Sequence, residues 1–151
     1  MGGYIQTSQR SDWATPPHLF DVIVRDVWRR YGQKISLDVC AQSHNAKCAE
    51  FFDPSVDGLA QPWDRPGSWW FCNPPYGREI KAWVAKGVQE RGGIFLLPAR
   101  TDVAWFHDHC WAVDRPRRGI EVEFLRGRVR FQGAEASAPF PSMLVWVHRL
   151  P

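Results

Sequence analysis

Apolar residues recur every three or four positions in the first part of the chain, and this period predicts an amphipathic helix over residues 16–31. Thr15 is a suitable N-cap, and Pro16 suits the first helical position because no intrahelical N–H is needed there. Gly32 follows the stripe and is a typical helix end. The predicted stripe carries Leu19, Phe20, Ile23, Val24, Val27, Trp28 and Tyr31.

Short apolar runs further along the chain predict buried strands, with helical spacing between some of them. The predicted strands cover residues 35–40, 49–52, 69–72, 93–97, 120–125, 128–131 and 142–147, and the predicted helices cover residues 79–91 and a short segment containing Trp105 and Phe106. Such alternation is typical of an α/β protein with a mostly parallel sheet. The last two strands are expected to form an antiparallel hairpin.

Length and hydropathy favour one domain. The 151 residues fit a single domain over residues 12–151, preceded by a polar, flexible lead at residues 1–11. No apolar run approaches the ~20 residues that a membrane span needs. The N-terminus lacks the apolar core of a signal peptide. We therefore expect a cytoplasmic protein with no membrane partner.

The charge of the whole chain is nearly balanced, but one stretch is strongly basic. The formal net charge is +3, from 19 basic and 16 acidic residues. Residues 115–130 contain six arginines against two glutamates, and a local basic face of this kind can neutralise phosphates. A solvated arginine-rich surface is the alternative at this point.

The cysteines indicate neither a disulfide framework nor a zinc site. None of the four forms a C-x-x-C pair. His107, His109 and Cys110 lie close in sequence, but nothing elsewhere completes a ligand set. No metal is therefore expected.

The most informative segment is an apolar strand that runs directly into Asn73, Pro74, Pro75 and Tyr76. In an open parallel sheet, ligands bind outside the carboxyl ends of the strands, where this segment is expected to lie. Each proline fixes its own backbone angle, removes an N–H donor and restricts the residue before it. The two prolines therefore form a rigid edge whose backbone offers only acceptors.

This turn has the chemistry to hold a planar amino group. The side-chain oxygen of Asn73 and the backbone oxygen of Pro74 can accept the two hydrogens of an –NH2 group and direct its lone pair towards a methyl donor. Tyr76 offers a face for stacking a flipped base, worth roughly 1–3 kcal/mol per base. A proline-rich turn without function is the alternative. Placement between a buried strand and a helix favours the functional interpretation.

The segment resembles the catalytic motif of amino-methyltransferases, which reads Asp or Asn, Pro, Pro and then Tyr, Phe or Trp. The chain as a whole is similar to the phage and prophage DNA N-6-adenine methyltransferase (Dam-type) family. The matching stretches are residues 12–17, 37–41, 45–48, 57–59, 72–77, 97–102 and 138–143. The resemblance implies a Rossmann-like S-adenosylmethionine-dependent fold. It also implies methyl transfer to N-6 of adenine in double-stranded DNA, in a bacterial or phage-infected cell.

The resemblance also implies roles for individual residues. Thr15 and Pro16 would contact the methionine part of the cofactor, Asp38 would lie close to it, and Asp57 would bond its adenine amino group. The catalytic residues would be Asn73, Pro74, Pro75 and Tyr76. Phe140 would pack against the target base. Purely structural roles remain open for three of these: Thr15 as a helix cap, Asp38 as an acceptor of backbone N–H groups, and Phe140 as core.

Further candidates come from position and charge. Arg100 and Asp102 follow another strand end and are expected to face the same cleft, although Asp102 is also a plausible N-cap of the next helix. Arg126 and Arg128 are candidates for phosphate contacts.

Two features depart from the family pattern around the cofactor. The usual Gly-x-Gly after the acidic residue of the first strand is missing, and Ala41 is small enough to substitute in part. Only 35 positions separate Asp38 from Asn73. One βαβ unit takes about 30 residues or more, so the usual half-sheet with two crossover helices cannot fit there. We therefore expect a sheet trimmed on one side, where loop residues 41–67 close the cofactor pocket.

Two other functions compete with adenine methylation. Enzymes that methylate a glutamine amide in a protein use the same motif, because an amide nitrogen is planar like that of adenine. A decayed cofactor site would leave a DNA-binding accessory protein without catalysis.

Overall fold

The computed structural model describes residues 13–151, so the flexible lead expected at residues 1–11 lies outside the described part. The first helix, α1, spans Pro17–Tyr31 and ends at Gly32, whose backbone has a φ of 61° and whose N–H bonds Trp28. The predicted N-cap was wrong. Pro16 holds that position with extended backbone, and no side chain caps the helix. The hydroxyl of Thr15 is engaged elsewhere, as described below.

The remaining helices and strands follow the predicted alternation. The helices are α2 (Ile80–Glu90) and α3 (Ala104–His109), and a short 3-10 helix spans Gly58–Ala60. The strands are β1 (Lys34–Asp38), β2 (Glu50–Phe51), β3 (Ser68–Cys72), β4 (Gly93–Pro98), β5 (Trp111–Ala112), β6 (Arg115–Pro116), β7 (Ile120–Phe124) and β8 (Ser142–Val147).

Six strands form one sheet in the order β2-β1-β3-β4-β8-β7. The pairs among β2, β1, β3 and β4 are parallel, and β8 pairs antiparallel with both β4 and β7. The small β5–β6 hairpin is separate and was not predicted. The expected mostly parallel sheet with an antiparallel finish is therefore confirmed.

The sheet is trimmed between β1 and β3, as expected. These two strands pair directly. Between them, the chain forms only the two-residue β2 and the 3-10 helix instead of a full crossover helix. A loop therefore occupies the side of the sheet that a helix normally covers.

The terminal hairpin uses a different strand from the predicted one. Its first strand is β7, which pairs with β8 over five residue pairs. Residues 128–131 instead lie in the connection between these strands, where the N–H of Ala138 bonds the carbonyl of Val129. Val129 and Phe131 pack inward from this loop, while the arginines alternate with them. This alternation resembles the pattern of a half-buried strand, although no strand forms.

Aromatic packing fixes the positions of the strand ends. All residues of β4 and β8 are buried, and the Trp70 ring packs edge-on against Phe95 at 5.0 Å. Gly93 permits this arrangement, because a Cβ there would collide with the Trp70 ring.

Within residues 13–151, no helix is long and apolar enough to cross a membrane.

One edge of the sheet collects the ends of several strands, and we call it the carboxyl edge. There β1, β3 and β4 end, and β7 also ends there because Phe124 pairs with Met143 beside the pair of Pro98 with Ser142. Residues 125–141, named here the arginine loop, therefore begin and end at this edge. Their arginines are Arg126, Arg128 and Arg130.

Candidate active site

The turn after β3 presents Asn73 at the carboxyl edge with its amide orientation fixed. The Nδ2 atom donates to the Trp13 backbone oxygen at 2.6 Å and to the Thr15 Oγ1 at 3.1 Å. A backbone oxygen can only accept, so the nitrogen must face Trp13. The Oδ1 atom is left buried and without a partner among residues 13–151. Such an acceptor costs about 1–3 kcal/mol, and native structures rarely retain one without a reason.

Residues 13–15, named here the strap, connect this turn with the arginine loop. Gln132 donates its backbone N–H to the Ala14 oxygen at 2.8 Å. The Trp13 ring packs edge-on against Phe131 at 5.0 Å and tilted against Phe140 at 5.2 Å. The strap therefore lies between the turn that carries Asn73 and the arginine loop. Sequence reasoning missed its Trp13, although it recognised the surrounding motif.

A first cavity of about 370 Å³ lies at the carboxyl ends of β1 and β3, a size within the usual range for small-molecule sites. Four of the residues expected to bind a cofactor line it, namely Thr15, Asp38, Ala41 and Asp57. The turn residues Asn73, Pro74 and Pro75 line it as well. Pro16 does not line it. Instead, Pro16 is buried at the start of α1, where its carbonyl accepts the N–H of Phe20.

Asp38 holds the loop that forms one wall of this cavity. Its side chain accepts the backbone N–H groups of Lys47 at 3.0 Å and Cys40 at 3.3 Å. Burial raises the pKa of Asp38 to about 6, although the hydrogen bonds from Lys47 and Cys40 oppose the rise. The structural role that the sequence left open is therefore present, and the same residue also lines the cavity.

The first cavity is electrostatically negative. Its lining includes four carboxyl residues, Asp38, Asp53, Asp57 and Glu79, against the single cation Lys47. An excess of carboxylates favours a cationic ligand. Sequence reasoning had identified only Asp38 and Asp57 of these residues.

Gly58 permits a close approach between a wall of the first cavity and the chain that leaves β1. A Cβ at Gly58 would lie 2.5 Å from the Val39 carbonyl oxygen, so only glycine fits beside the chain that leaves β1. The preceding Asp57 has a φ of 58°, an unusual conformation for a non-glycine residue in a cavity wall. The Asp-Gly pair was visible in the sequence, but its contact with Val39 depends on the tertiary fold.

A second cavity of about 240 Å³ lies on the other side of the turn. Tyr76 forms part of its wall but is only 7% exposed, and its hydroxyl donates to the Leu96 carbonyl at 3.2 Å. Burial raises the pKa of Tyr76 well above its usual range, so the phenol stays neutral. Phe140 packs edge-on against Tyr76 at 5.7 Å, and the Arg100 guanidinium lies 5.7 Å from the Phe140 ring centre. Trp105 completes this aromatic wall.

The structure does not bring Asp102, Arg126 or Arg128 into either cavity. All three are exposed. Val103, rather than Asp102, is the N-cap of α3. Arg128 donates to the Ala138 carbonyl at 3.5 Å within the arginine loop.

The basic stretch does not form one continuous face, which corrects the picture given by the sequence. Arg126 and Arg128 follow β7 at the carboxyl edge. Arg117 and Arg118 precede the start of β7, which pairs with Val147 at the opposite edge. Arg117 also donates to the His107 carbonyl, at 2.7 Å from one nitrogen. Within residues 13–151, no cluster of His, Cys, Asp or Glu is arranged to hold a metal ion.

A mostly parallel sheet with an Asn-Pro-Pro-Tyr turn between two cavities at its carboxyl edge defines the Rossmann-like amino-methyltransferase class. The sequence profile described as DNA N-6-adenine-methyltransferase (Dam) matches residues 3–145, and the chain belongs to this family.

A curated relative carries the same description. The chain is 28% identical over 107 residues to the "DNA N-6-adenine-methyltransferase" of Haemophilus phage HP1 (strain HP1c1). The match covers 68% of this chain and 58% of the relative. The matched part therefore spans less than two thirds of the relative's length.

Proposed function

We propose that this protein transfers a methyl group from S-adenosylmethionine to the N-6 amino nitrogen of adenine in double-stranded DNA. The observation that carries the proposal is the buried, unpartnered Oδ1 of Asn73, held in one orientation by the strap. Family membership and the description of the phage relative support the same substrate. They favour it over a glutamine amide and over an accessory role without catalysis.

The first cavity fits S-adenosylmethionine in size and charge. When bound, this cofactor supplies a methyl group on a positively charged sulfur, and the carboxylates of the cavity complement that charge. Asp57 would accept hydrogen bonds from polar groups of the cofactor, and Thr15 would lie beside its methionine part. Ala41 is a small residue in the wall of this cavity, and Gly58 lets the wall pack closely against the Val39 carbonyl.

The turn would hold the target amino group for in-line attack. Asn73 Oδ1 and the Pro74 carbonyl would each accept one amino hydrogen, and neither atom has a hydrogen-bond partner among residues 13–151. This grip directs the nitrogen lone pair towards the methyl carbon. The bound cofactor would supply the methyl group, so that an N–C bond would form as the C–S bond breaks, the electron pair of that bond would stay on sulfur, and one amino proton would pass to solvent. Positioning supplies the rate enhancement, so no ionised base is required.

The second cavity would receive the target adenine after it leaves the duplex. Enzymes that modify a base within a duplex rotate it into a pocket, where aromatic side chains stack on it. Tyr76, Phe140 and Trp105 supply aromatic surface in this cavity, and Arg100 supplies hydrogen-bond donors for ring nitrogens. Arg126 and Arg128, at the same edge of the sheet, would contact the phosphates.

The test is incubation with tritiated S-adenosylmethionine and an unmethylated duplex, followed by nucleoside analysis. We expect the label in N-6-methyldeoxyadenosine and its loss in Asn73→Ala. As a matched control, Trp28→Ala alters an exposed residue of α1 that lines neither cavity. Label in a cytosine derivative, or label retained in Asn73→Ala, would overturn the proposal.

A further inference from the structure

The strap makes three separate attachments within only three residues. The Trp13 carbonyl accepts from the Asn73 amide, and the Ala14 carbonyl accepts from Gln132 of the arginine loop. The Trp13 ring packs against Phe131 and Phe140. Phe131 and Phe140 in turn meet the Tyr76 ring edge-on, at 6.2 Å and 5.7 Å. A displacement of Trp13 therefore shifts both the acceptor residue and the aromatic wall of the second cavity.

Two polar atoms beside the strap are buried without partners among residues 13–151. One is the Oδ1 acceptor of Asn73, and the other is the Nε1 donor of Trp13. An unpaired buried group of this kind costs about 1–3 kcal/mol. Both atoms belong to residues that meet where the strap contacts the turn after β3.

Burial of the Asn73 oxygen has a direct consequence for the reaction. The atom has essentially no solvent-accessible surface, so a target amino group cannot reach it while its surroundings stay as they are. The strap is the neighbouring segment that also contacts the proposed DNA-binding loop. The Gln132–Ala14 hydrogen bond joins the arginine loop to the residue next to Trp13, whose carbonyl holds the Asn73 amide.

We propose that Trp13 is a positioning residue through which DNA contact at the arginine loop shifts the Asn73 amide and aligns its acceptor oxygen. The proposal rests on the proposed function and adds a coupling between DNA binding and the methyl-transfer site. Trp13 acts through its ring packing and its backbone carbonyl. Its indole N–H is not required for this role.

The experiment compares Trp13→Ala, Trp13→Phe and the surface control Trp28→Ala. Single-turnover methylation is measured at saturating S-adenosylmethionine and saturating duplex, together with the dissociation constant of the duplex. We expect Trp13→Ala to lower the single-turnover rate by at least about tenfold, equivalent to about 1.4 kcal/mol in the barrier. Trp13→Phe and the control should stay within about twofold of the wild type, the usual margin for independent changes.

The pattern among the variants distinguishes positioning from other roles. A full rate in Trp13→Ala would overturn the proposal, as would a deficit that disappears when more duplex is added. Equal losses in Trp13→Ala and Trp13→Phe would show that an aromatic ring at position 13 does not support the rate and would also overturn the proposal. Gln132→Pro offers a second variant, because it removes the N–H donated to Ala14 and leaves the Trp13 ring in place. It should lower the same rate.

A binding measurement separates failure of this proposal from failure of the proposed function. Calorimetry with S-adenosylhomocysteine, in the presence and absence of a duplex, reports coupling without turnover. We expect the duplex to change the affinity of the wild type for this ligand and to leave that of Trp13→Ala unchanged. An equal effect of the duplex on both proteins would overturn the coupling. Absence of methylated adenine in the wild type would overturn the proposed function instead.

Discussion

Substitution of Asn73 by alanine separates the folding role of this residue from its proposed chemical role. The substitution removes the two hydrogen bonds from Nδ2 to Trp13 and Thr15, which together contribute about 1–3 kcal/mol. It also removes the unpaired buried Oδ1, whose penalty is of the same size, about 1–3 kcal/mol. The two effects oppose each other. Because the Trp13 carbonyl and the buried Thr15 hydroxyl also lose their donor, we expect a net fall in the free energy of unfolding of about 1–3 kcal/mol.

The same substitution should strongly lower the rate of methyl transfer. Loss of one preorganised hydrogen-bonding group at a reacting centre typically lowers the rate by about 10²- to 10³-fold. Urea unfolding would measure stability, and single-turnover transfer of tritium at saturating ligands would measure the chemical step. A variant that is stable and retains the wild-type rate would refute the proposed role of the Asn73 oxygen.

Asn73→Asp provides a more demanding comparison, because the family motif accepts either residue. In this chain, the second carboxylate oxygen would replace the nitrogen that faces the Trp13 carbonyl, so two acceptors would oppose each other at about the 2.6 Å now bridged by a hydrogen bond. We expect Asn73→Asp to be less stable than Asn73→Ala in urea. If Asn73→Asp has wild-type stability, the assigned orientation of the amide is wrong.

Three further predictions concern neighbouring groups. Because the folded pKa of Asp38 is about 6 against an ordinary 3.8, its contribution to stability is complete below pH 3.8 and is lost as the pH rises through 6. Urea unfolding should therefore show that the wild type loses about 3 kcal/mol of stability relative to Asp38→Asn between these limits. Arg126→Ala should reduce the slope of log affinity for DNA against log salt by about 1, whereas Arg118→Ala should not, and an unchanged slope in Arg126→Ala would remove that arginine from the DNA contact. Tyr76→Phe should lose about 1 kcal/mol of stability with the hydrogen bond to Leu96 but keep its affinity for target DNA. Tyr76→Ala should weaken duplex binding more than cofactor binding, and calorimetry showing the reverse order would exclude a stacking role.

The sequence was sufficient for features set by local pattern. The 3.6-residue period located α1, and the abrupt change from apolar strand to prolines located the turn at Asn73. The general rule that ligands bind at strand ends then placed Asp38 and Asn73 at one cavity. The short distance between these residues also predicted the trimmed sheet correctly. In each case, chain connectivity or short-range periodicity carries the information.

Features that depend on tertiary partners were predicted less well. Thr15 is a residue type that often caps helices, but its hydroxyl instead accepts a hydrogen bond from Asn73, which lies 58 residues away in the sequence. Residues 128–131 alternate like a strand, but β7 takes the place beside β8. The arginines of residues 115–130 form one run in the sequence, and β7 then separates them by its whole length. The local sequence does not indicate these contacts and strand pairings, because each depends on residues that are distant in the chain.

The two cavities on opposite sides of one turn have a kinetic consequence. Asn73, Pro74 and Pro75 line the first cavity, whereas Tyr76 and Gly77 line the second, so the proposed cofactor and the proposed target base would be held in separate cavities and would meet only at the methyl group and the amino nitrogen. Both substrates can occupy the protein together, and steady-state velocity patterns should intersect, as they do for a sequential mechanism. The demethylated cofactor should inhibit competitively against S-adenosylmethionine and noncompetitively against DNA. If the protein methylates DNA as proposed, the demethylated cofactor would be able to leave while the duplex stays bound, and we expect repeated methylation along a single DNA molecule.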